Sequence, residues 1–413
     1  MSDVTTGALS HLKVLDLSRV LAGPWATQIL ADLGADVIKV ERPGAGDDTR
    51  AWGPPWLADA DGEPTTESAY YLSCNRNKRS VAIDMATPEG QDLIRRLAAD
   101  SDIVVENFKL GGLKAYGLDY DSLKAINPAL IYCSITGFGQ TGPRAAQPGY
   151  DLLIQAMGGL MSVTGVPDGQ DGAGPQRIGV ALIDVMTGLY ATIGVLAAVA
   201  HRDRTGEGQS IDIALMDVSV AALANLAMNY LVSGQSPVRM GNAHPNVVPY
   251  QDFATADGAI IVAVGNDGQF ARYWALLGLE HDPRLTTNAG RIRYRAETIG
   301  PIKEKMLERT TAEWMAAIEA VGVPCGPIND FAAVFADPQV IARELRRDLD
   351  HALGGASPMV ASPLNLSATP PTYRTAPPLL GQDTAAVLSE MLGLDRATLD
   401  ALVAKGVIDR NTL

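Results

Sequence analysis

Asp184 is the strongest chemical signal in this chain. It interrupts the apolar run Ile178–Ala200, and an ionised carboxylate among apolar neighbours needs either a compensating partner or a task. Three readings fit. Asp184 is the N-cap of a helix starting at Val185, with its oxygen taking a backbone N–H; or a buried, protonated acid holding a hydrogen bond; or a positioned nucleophile. The first and third are compatible. Upstream, Tyr150 and Asp151 follow the Pro148-Gly149 turn, and Gln155 shares a helical face with Asp151, so capping and surface pairing compete with function there. Glu41 and Arg42 end a strand-like segment. Glu41 is either a contact for a ribose hydroxyl or a solvated acid, whereas the Arg42 guanidinium suits a phosphate. Asn107 and Phe108 follow another such segment, where open α/β sheets hold ligands.

Other chemistries lack their residues. The five histidines (His11, His201, His244, His281, His351) form no HxxxH or HxH, and Cys74, Cys133 and Cys325 are far apart with no CxxC, so no metal centre is expected. GxSxG, P-loop and kinase motifs are missing. The first strand-to-helix turn, SRVLAGP from Ser18 to Pro24, lacks GxGxxG, which disfavours NAD binding by the usual device.

These residues need a scaffold, and the apolar pattern supplies one. Leu12 to Leu17 reads as a strand, Trp25 to Leu33 as a helix stopped at Gly34, and Val37 to Val40 as a second strand, a βαβ unit. Pro88 to Asp100 and Tyr120 to Ile126 read as helices, Ile103 to Val105 and Leu130 to Ile135 as strands. The pattern predicts an open, doubly wound, Rossmann-like parallel sheet. Residues 137–179 are rich in glycine and proline, and a loop region that large suggests a site or an interface. Ser210 to Leu231 reads as one apolar helix. Strands at Val247 to Phe253 and Ala259 to Val264, with helices at Asp267 to Leu277 and Thr311 to Ala320, predict a smaller α+β domain. The expected division is 1–205 for the first part of a large domain, 206–234 as a linker helix region, 235–330 as the small domain, and 331–413 as a return segment. Its short amphipathic helices, Thr384 to Met391 and Arg396 to Lys405, are expected to pack on the large domain.

Composition narrows the partners. With 33 Lys and Arg against 47 Asp and Glu, the 413-residue chain carries a net charge of −14 and no basic run. That opposes binding to nucleic acid or an anionic membrane. Ile178–Ala200 is long enough to span a bilayer, but Asp184 and three glycines favour a buried helix. The N-terminal residues show no signal peptide, and the odd, scattered cysteines fit a reducing compartment, so a cytoplasmic location is expected.

The strings LAGPWATQILADLGADVIKVERPGAGDDTR, NRNKRSVAIDM, SDIVVENF, GFGQTGP, PGYDLLIQAMGGLMSVTG and IDVMTGLYATIGVLAAVAHRDRTGEGQ, in that order, resemble the class III CoA-transferase family. Its members include formyl-CoA and carnitine CoA-transferases and α-methylacyl-CoA racemase. The likeness resumes at GNAHPNVVPYQDF, VPCGPIND and APPLLGQDT. It implies that Asp184 is the nucleophile and that Leu21, Ala22, Arg42, the segment from Ile83 and Asp84 to Ala86, Asn107 and Phe108 bind coenzyme A. Lys114 is the nearest counterpart of a basic residue often found after the Asn-Phe pair, out of register by about one, and the family's tyrosine–acid pair falls on Tyr150 and Asp151. A CoA thioester is then a substrate, with no tightly bound cofactor. The resemblance also implies an interlocked homodimer.

Two departures discriminate among members. The racemase has a histidine where this chain has Tyr150, and a phenol is a poor base at neutral pH, so transfer is favoured over racemisation. Formyl-CoA transferases cover their site with a run of glycines where this chain reads MGNAHPNVVP. The resemblance is nearer to members using succinyl-CoA and dicarboxylates such as glutarate. Gly241, Asn242, Ala243 and His244 are the expected substrate contacts, with backbone N–H groups near Gly241 to Ala243 for an oxyanion. Arg177, Arg144 and His244 are unranked candidates for a distal carboxylate. The alternatives are an acyl-CoA isomerase of the same family, and a nucleotide-binding regulatory protein that has no need of Asp184.

Overall fold

The computed structural model describes residues 7–409. Six short strands, β1 (Lys13–Asp16), β2 (Asp36–Glu41), β3 (Lys78–Ala82), β4 (Ile103–Glu106), β5 (Ile131–Thr136) and β6 (Ser210–Ala214), form one sheet in the order β6-β5-β4-β1-β2-β3. Every neighbouring pair is parallel. The doubly wound sheet expected from the βα alternation is therefore present. Its growth reverses between β1 and β4, and such a switch point opens a crevice at the carboxyl ends of the strands.

Successive strand residues point to opposite faces, and both faces are covered. Val14, Val37, Ile103 and Ile131 join a core with helices α1 (Ala22–Asp32) and α4 (Leu182–Thr205). Leu15, Ile38, Val104 and Tyr132 join the opposite core. There they meet α2 (Pro88–Ala99) and the C-terminal helices α7 (Thr384–Leu392) and α8 (Arg396–Ala404), which supply Val387, Leu388 and Leu399. The short helix α3 (Asp151–Met157) precedes α4.

Helix α4 is long and apolar enough to cross a membrane, yet it packs along α1. Gly188 makes that approach possible: a Cβ there would lie 2.8 Å from the Ala22 carbonyl oxygen and 3.0 Å from the Trp25 ring.

One expectation about elements is corrected, and one strand was not foreseen. Ser210 to Leu231 is not one helix. It is strand β6, then α5 (Leu215–Ala222) and α6 (Ala224–Ser233), with axes bent by 74° where Ala224 takes a φ of 42°. Strand β3 lay hidden because KRSVA opens on two charges. Lys78 is buried against Asp16 at 3.1 Å, and Arg79 pairs with Asp36 at 2.5 Å.

By internal contacts the chain divides into two units. One holds the chain up to Leu160, Ile178–Met228 and the segment from Ile341 on; the other holds Met161–Arg177 and Asn229–Val340. The segment 206–228 thus belongs to the first unit, and 161–177 to the second. The second unit has an antiparallel sheet of β7 (Tyr250–Ala254), β8 (Ala259–Ala263) and β9 (Cys325–Pro327), packed around Phe253, Tyr273 and Trp314.

Candidate active site

Asp184 is the third residue of α4, not its N-cap. The helix begins at Leu182, and its first amides are capped from a distance. Asp151 Oδ2 accepts from the backbone N–H of Ile183 at 2.8 Å and of Asp184 at 3.2 Å. Asp151 Oδ1 accepts from Gln155 Nε2 at 2.6 Å, and Gln155 Oε1 accepts from the N–H of Ile178 at 3.0 Å. The buried Asp151–Gln155 pair therefore fixes the entry into α4, and both Asp151 oxygens are taken by protein.

This capping leaves Asp184 exposed to two unfavourable effects. Burial, and then the negative charge of Asp151, push its carboxyl up to about 7. Among the described residues no donor reaches its side-chain oxygens. The amides at a helix start ordinarily steady an anion, but here Asp151 occupies them. Tyr70 lies in the same field: burial and then Asp184 push its phenol up to about 12, so it stays a proton donor at neutral pH. Its ring meets Trp52 edge-on at 5.0 Å between centroids.

Trp52 also lines a cleft of about 550 Å³ at the carboxyl ends of β1 to β4. Arg42, Asp84, Met85 and Phe108 line it as well, as do Arg19 and Lys109, which sequence reasoning missed. Lys109, directly after Asn107-Phe108, was the available signal; it stands at the cleft, whereas Lys114 lines a neighbouring cavity of about 290 Å³. Arg42 and Lys109 are exposed, and among the described residues neither forms an ion pair. Leu21 and Ala22 are buried at the start of α1, and Arg19 is the residue of that turn that lines the cleft. Ile83, though counted in the lining, is 1% exposed. Tyr150 is 67% exposed and makes no capping bond.

The cleft floor is a buried charge network. Lys39 meets Asp47 at 2.9 Å; burial opposes the Asp47 charge, but Lys39 and the hydrogen bonds from Thr49 together outweigh it and hold Asp47 down at about 2. Arg50 binds Glu41 in bidentate fashion at 2.8 Å for each contact, and reaches Glu67 at 3.2 Å. Glu41 also accepts from Ser80 Oγ at 2.7 Å and the Asp47 N–H at 2.9 Å. Glu41 is thus neither a solvated acid nor a free ribose contact, because its oxygens are saturated from below. Above it, Val20 has a φ of 71°, costly for a β-branched residue. The Asp47 carboxylate accepts its N–H at 3.2 Å, and Asn107 bonds the backbone of Arg19 on both sides, at 2.9 and 2.7 Å. The strained turn is held from two directions.

Gly241, Asn242, Ala243 and His244 belong to the second unit. Arg295 Nη2 donates to the carbonyls of His244 and Pro245, each at 3.0 Å. The N–H of Ala243 bonds Met240 O, and that of His244 bonds Tyr250 O. Of the other distal-carboxylate candidates, Arg144 is exposed and bonds Gln147, and Arg177 is exposed. Among the described residues no group of His, Cys, Asp and Glu is arranged to hold a metal.

Residues 9–384 match the model of "CoA-transferase family III". The chain belongs to CoA-transferase family III. It is 52% identical over 391 residues to the succinate–glutarate CoA-transferase of Agrobacterium fabrum, covering 94% of this chain and 96% of that one. It is 44% identical over 406 residues to the human succinyl-CoA:glutarate CoA-transferase, covering 98% and 90%. A crystal structure of a CAIB/BAIF family protein from Brucella suis superposes with a TM-score of 0.82 at 50% identity, covering 94% of this chain and all of that one. As a family III CoA-transferase, the chain is an enzyme whose substrates include CoA thioesters.

Proposed function

We propose that this enzyme moves CoA from succinyl-CoA to a short dicarboxylate of the glutarate class, with Asp184 carrying the acyl group and then CoA. The observation that carries the reading is Asp184 itself, a partly buried carboxyl at the start of α4 whose oxygens no donor reaches among the described residues. The names and extent of the two succinate–glutarate relatives support the substrate class.

The chemistry needs no ATP, because one thioester's activation is handed to another acid. The ionised Asp184 attacks the succinyl thioester carbonyl, forming a mixed anhydride and expelling CoA thiolate. The thiolate attacks the aspartyl carbonyl, releasing succinate and leaving an aspartyl-CoA thioester. The acceptor carboxylate attacks that thioester, giving a new anhydride and CoA thiolate. Attack of the thiolate on the acceptor's acyl carbonyl releases the product and restores Asp184. Covalent catalysis of this kind divides one difficult step into easier ones. The cleft at the sheet edge is the seat of CoA in this reading. CoA phosphates would otherwise meet a chain of net charge −14, and the exposed Arg42 and Lys109 supply local positive charge. Trp52 lines that cleft and its ring meets Tyr70, whose phenol feels the Asp184 charge.

Incubation with succinyl-CoA, followed by digestion and mass spectrometry, should place an adduct on the peptide containing Asp184, and hydroxylamine should convert that residue to a hydroxamate. Product formation with no adduct there at any time point removes Asp184 from the mechanism.

A further inference from the structure

Glu106 ends β4 beside the switch point and is 5% exposed. Its surroundings contain hydrogen-bond donors but, among the described residues, no ion-pairing cation. Glu106 Oε2 accepts from the N–H of Phe108 at 2.7 Å. The Ser134 hydroxyl on β5 lies close enough to the same carboxyl to favour its charge, and Ser134 Oγ accepts from Gln140 Nε2 at 2.8 Å. Gln140 is anchored in turn, its N–H donating to Asp212 Oδ2 on β6 at 2.9 Å. A buried acid without a counter-ion is a costly way to fill space, and an apolar residue of similar volume is often as stable or more so. The acid's distinctive contribution is therefore what it holds.

What it holds is one side of a short segment clamped from both sides. Asn107 is tied to the Arg19 backbone across the switch point, and Phe108 is tied to Glu106 from the opposite side. The next side chains, Phe108 and Lys109, line the 550 Å³ cleft, and Arg19 lies over the Phe108 ring at 5.4 Å. We infer that Glu106 is a positioning residue for CoA recognition, fixing the Phe108–Lys109 edge of the cleft through the Phe108 amide. The inference rests on the assignment of that cleft to CoA.

The test is steady-state kinetics of the full-length enzyme with succinyl-CoA and glutarate, supported by thermal melts. Glu106→Met removes the acceptor and fills the space; the KM for succinyl-CoA should rise about tenfold, equivalent to about 1.4 kcal/mol, with kcat within about twofold. Glu106→Gln keeps an acceptor for the Phe108 amide and should bring KM back to within about threefold of wild type. Glu106→Asp keeps the charge but shortens the reach, and should raise KM even if the Met variant fails to fold. Phe108→Ala reports on the cleft separately. A raised KM in Phe108→Ala with an unchanged KM in Glu106→Met and Glu106→Asp overturns the role of Glu106 and leaves the cleft assignment standing. If none of these variants changes KM, both fall. A Gln variant as impaired as the Met variant also overturns the inference.

Discussion

A nucleophilic carboxylate must be ionised when it attacks, yet Asp184 is held at about 7 by burial and by Asp151. The profile of kcat/KM against pH should therefore fall about tenfold per unit below about 7, as the reactive form is depleted. Glu106 is also pushed up to about 7 by burial, so the two must be separated. The limb should persist in Glu106→Gln and shift to lower pH in Asp151→Asn, which removes the negative neighbour but keeps an acceptor. A limb unmoved in Asp151→Asn assigns the titration elsewhere. The same shift has a consequence for stability. The folded state keeps the Asp184 proton up to about 7 while the unfolded chain releases it near 4, so stability falls as pH rises through that window. Asp184→Asn carries no such penalty. It should match wild type near pH 4 and exceed it by roughly 2–4 kcal/mol above pH 7, read as a gap in denaturation midpoints that widens with pH and then levels off. A constant gap would place Asp184 in water-like surroundings.

The helix that presents this carboxyl depends on close approach to α1, and Gly188 sets the distance. In an exposed helix, Gly→Ala stabilises by about 1 kcal/mol. At Gly188 the new Cβ would meet the Ala22 carbonyl at 2.8 Å, and backbone on backbone yields little. Overpacking of this kind costs about 1–3 kcal/mol, so Gly188→Ala should lower the urea midpoint; a rise would mean that α1 and α4 slide freely. The sequence showed both helices plainly because their apolar residues recur with helical spacing. It also showed the carboxylate that breaks the run. It did not show that Asp151 caps α4, because that contact spans 33 residues and neither end has a local signature. Strands β3 and β6 escaped for a related reason. KRSVA and SIDIA carry charges where a buried strand is expected to be apolar, and only the folded sheet brings Asp16 to Lys78 and Gln140 to Asp212. Glu41 was misjudged on a related ground, since Ser80 reaches it only after β2 and β3 pair and Arg50 only after the chain turns back beyond β2.

At the scale of the molecule, one face of α4 presents large apolar side chains to the surface. Leu189, Tyr190 and Ile193 are 45%, 43% and 61% exposed, on a helix apolar enough to enter a bilayer. On α5, Val220 is 50% exposed. An exposed apolar patch of this kind marks an interface, and either lipid or protein can cover it. A lipid-facing α4 would have to place the Asp184 carboxyl near one end of its span, and its opposite face is already packed on α1, where Gly188 meets Ala22 and Trp25. The homodimer expected from the sequence would supply the other cover, a second copy of this chain. Sedimentation equilibrium at micromolar concentration in detergent-free buffer should give twice the 43.6 kDa chain mass. Ile193→Asp, which places a charge on the exposed face, should shift that mass toward the single chain or prevent soluble folding, as expected where assembly and folding are linked. A wild-type monomer that stays soluble and turns over succinyl-CoA would show that α4 needs no cover, and would remove the dimer from the account of this enzyme.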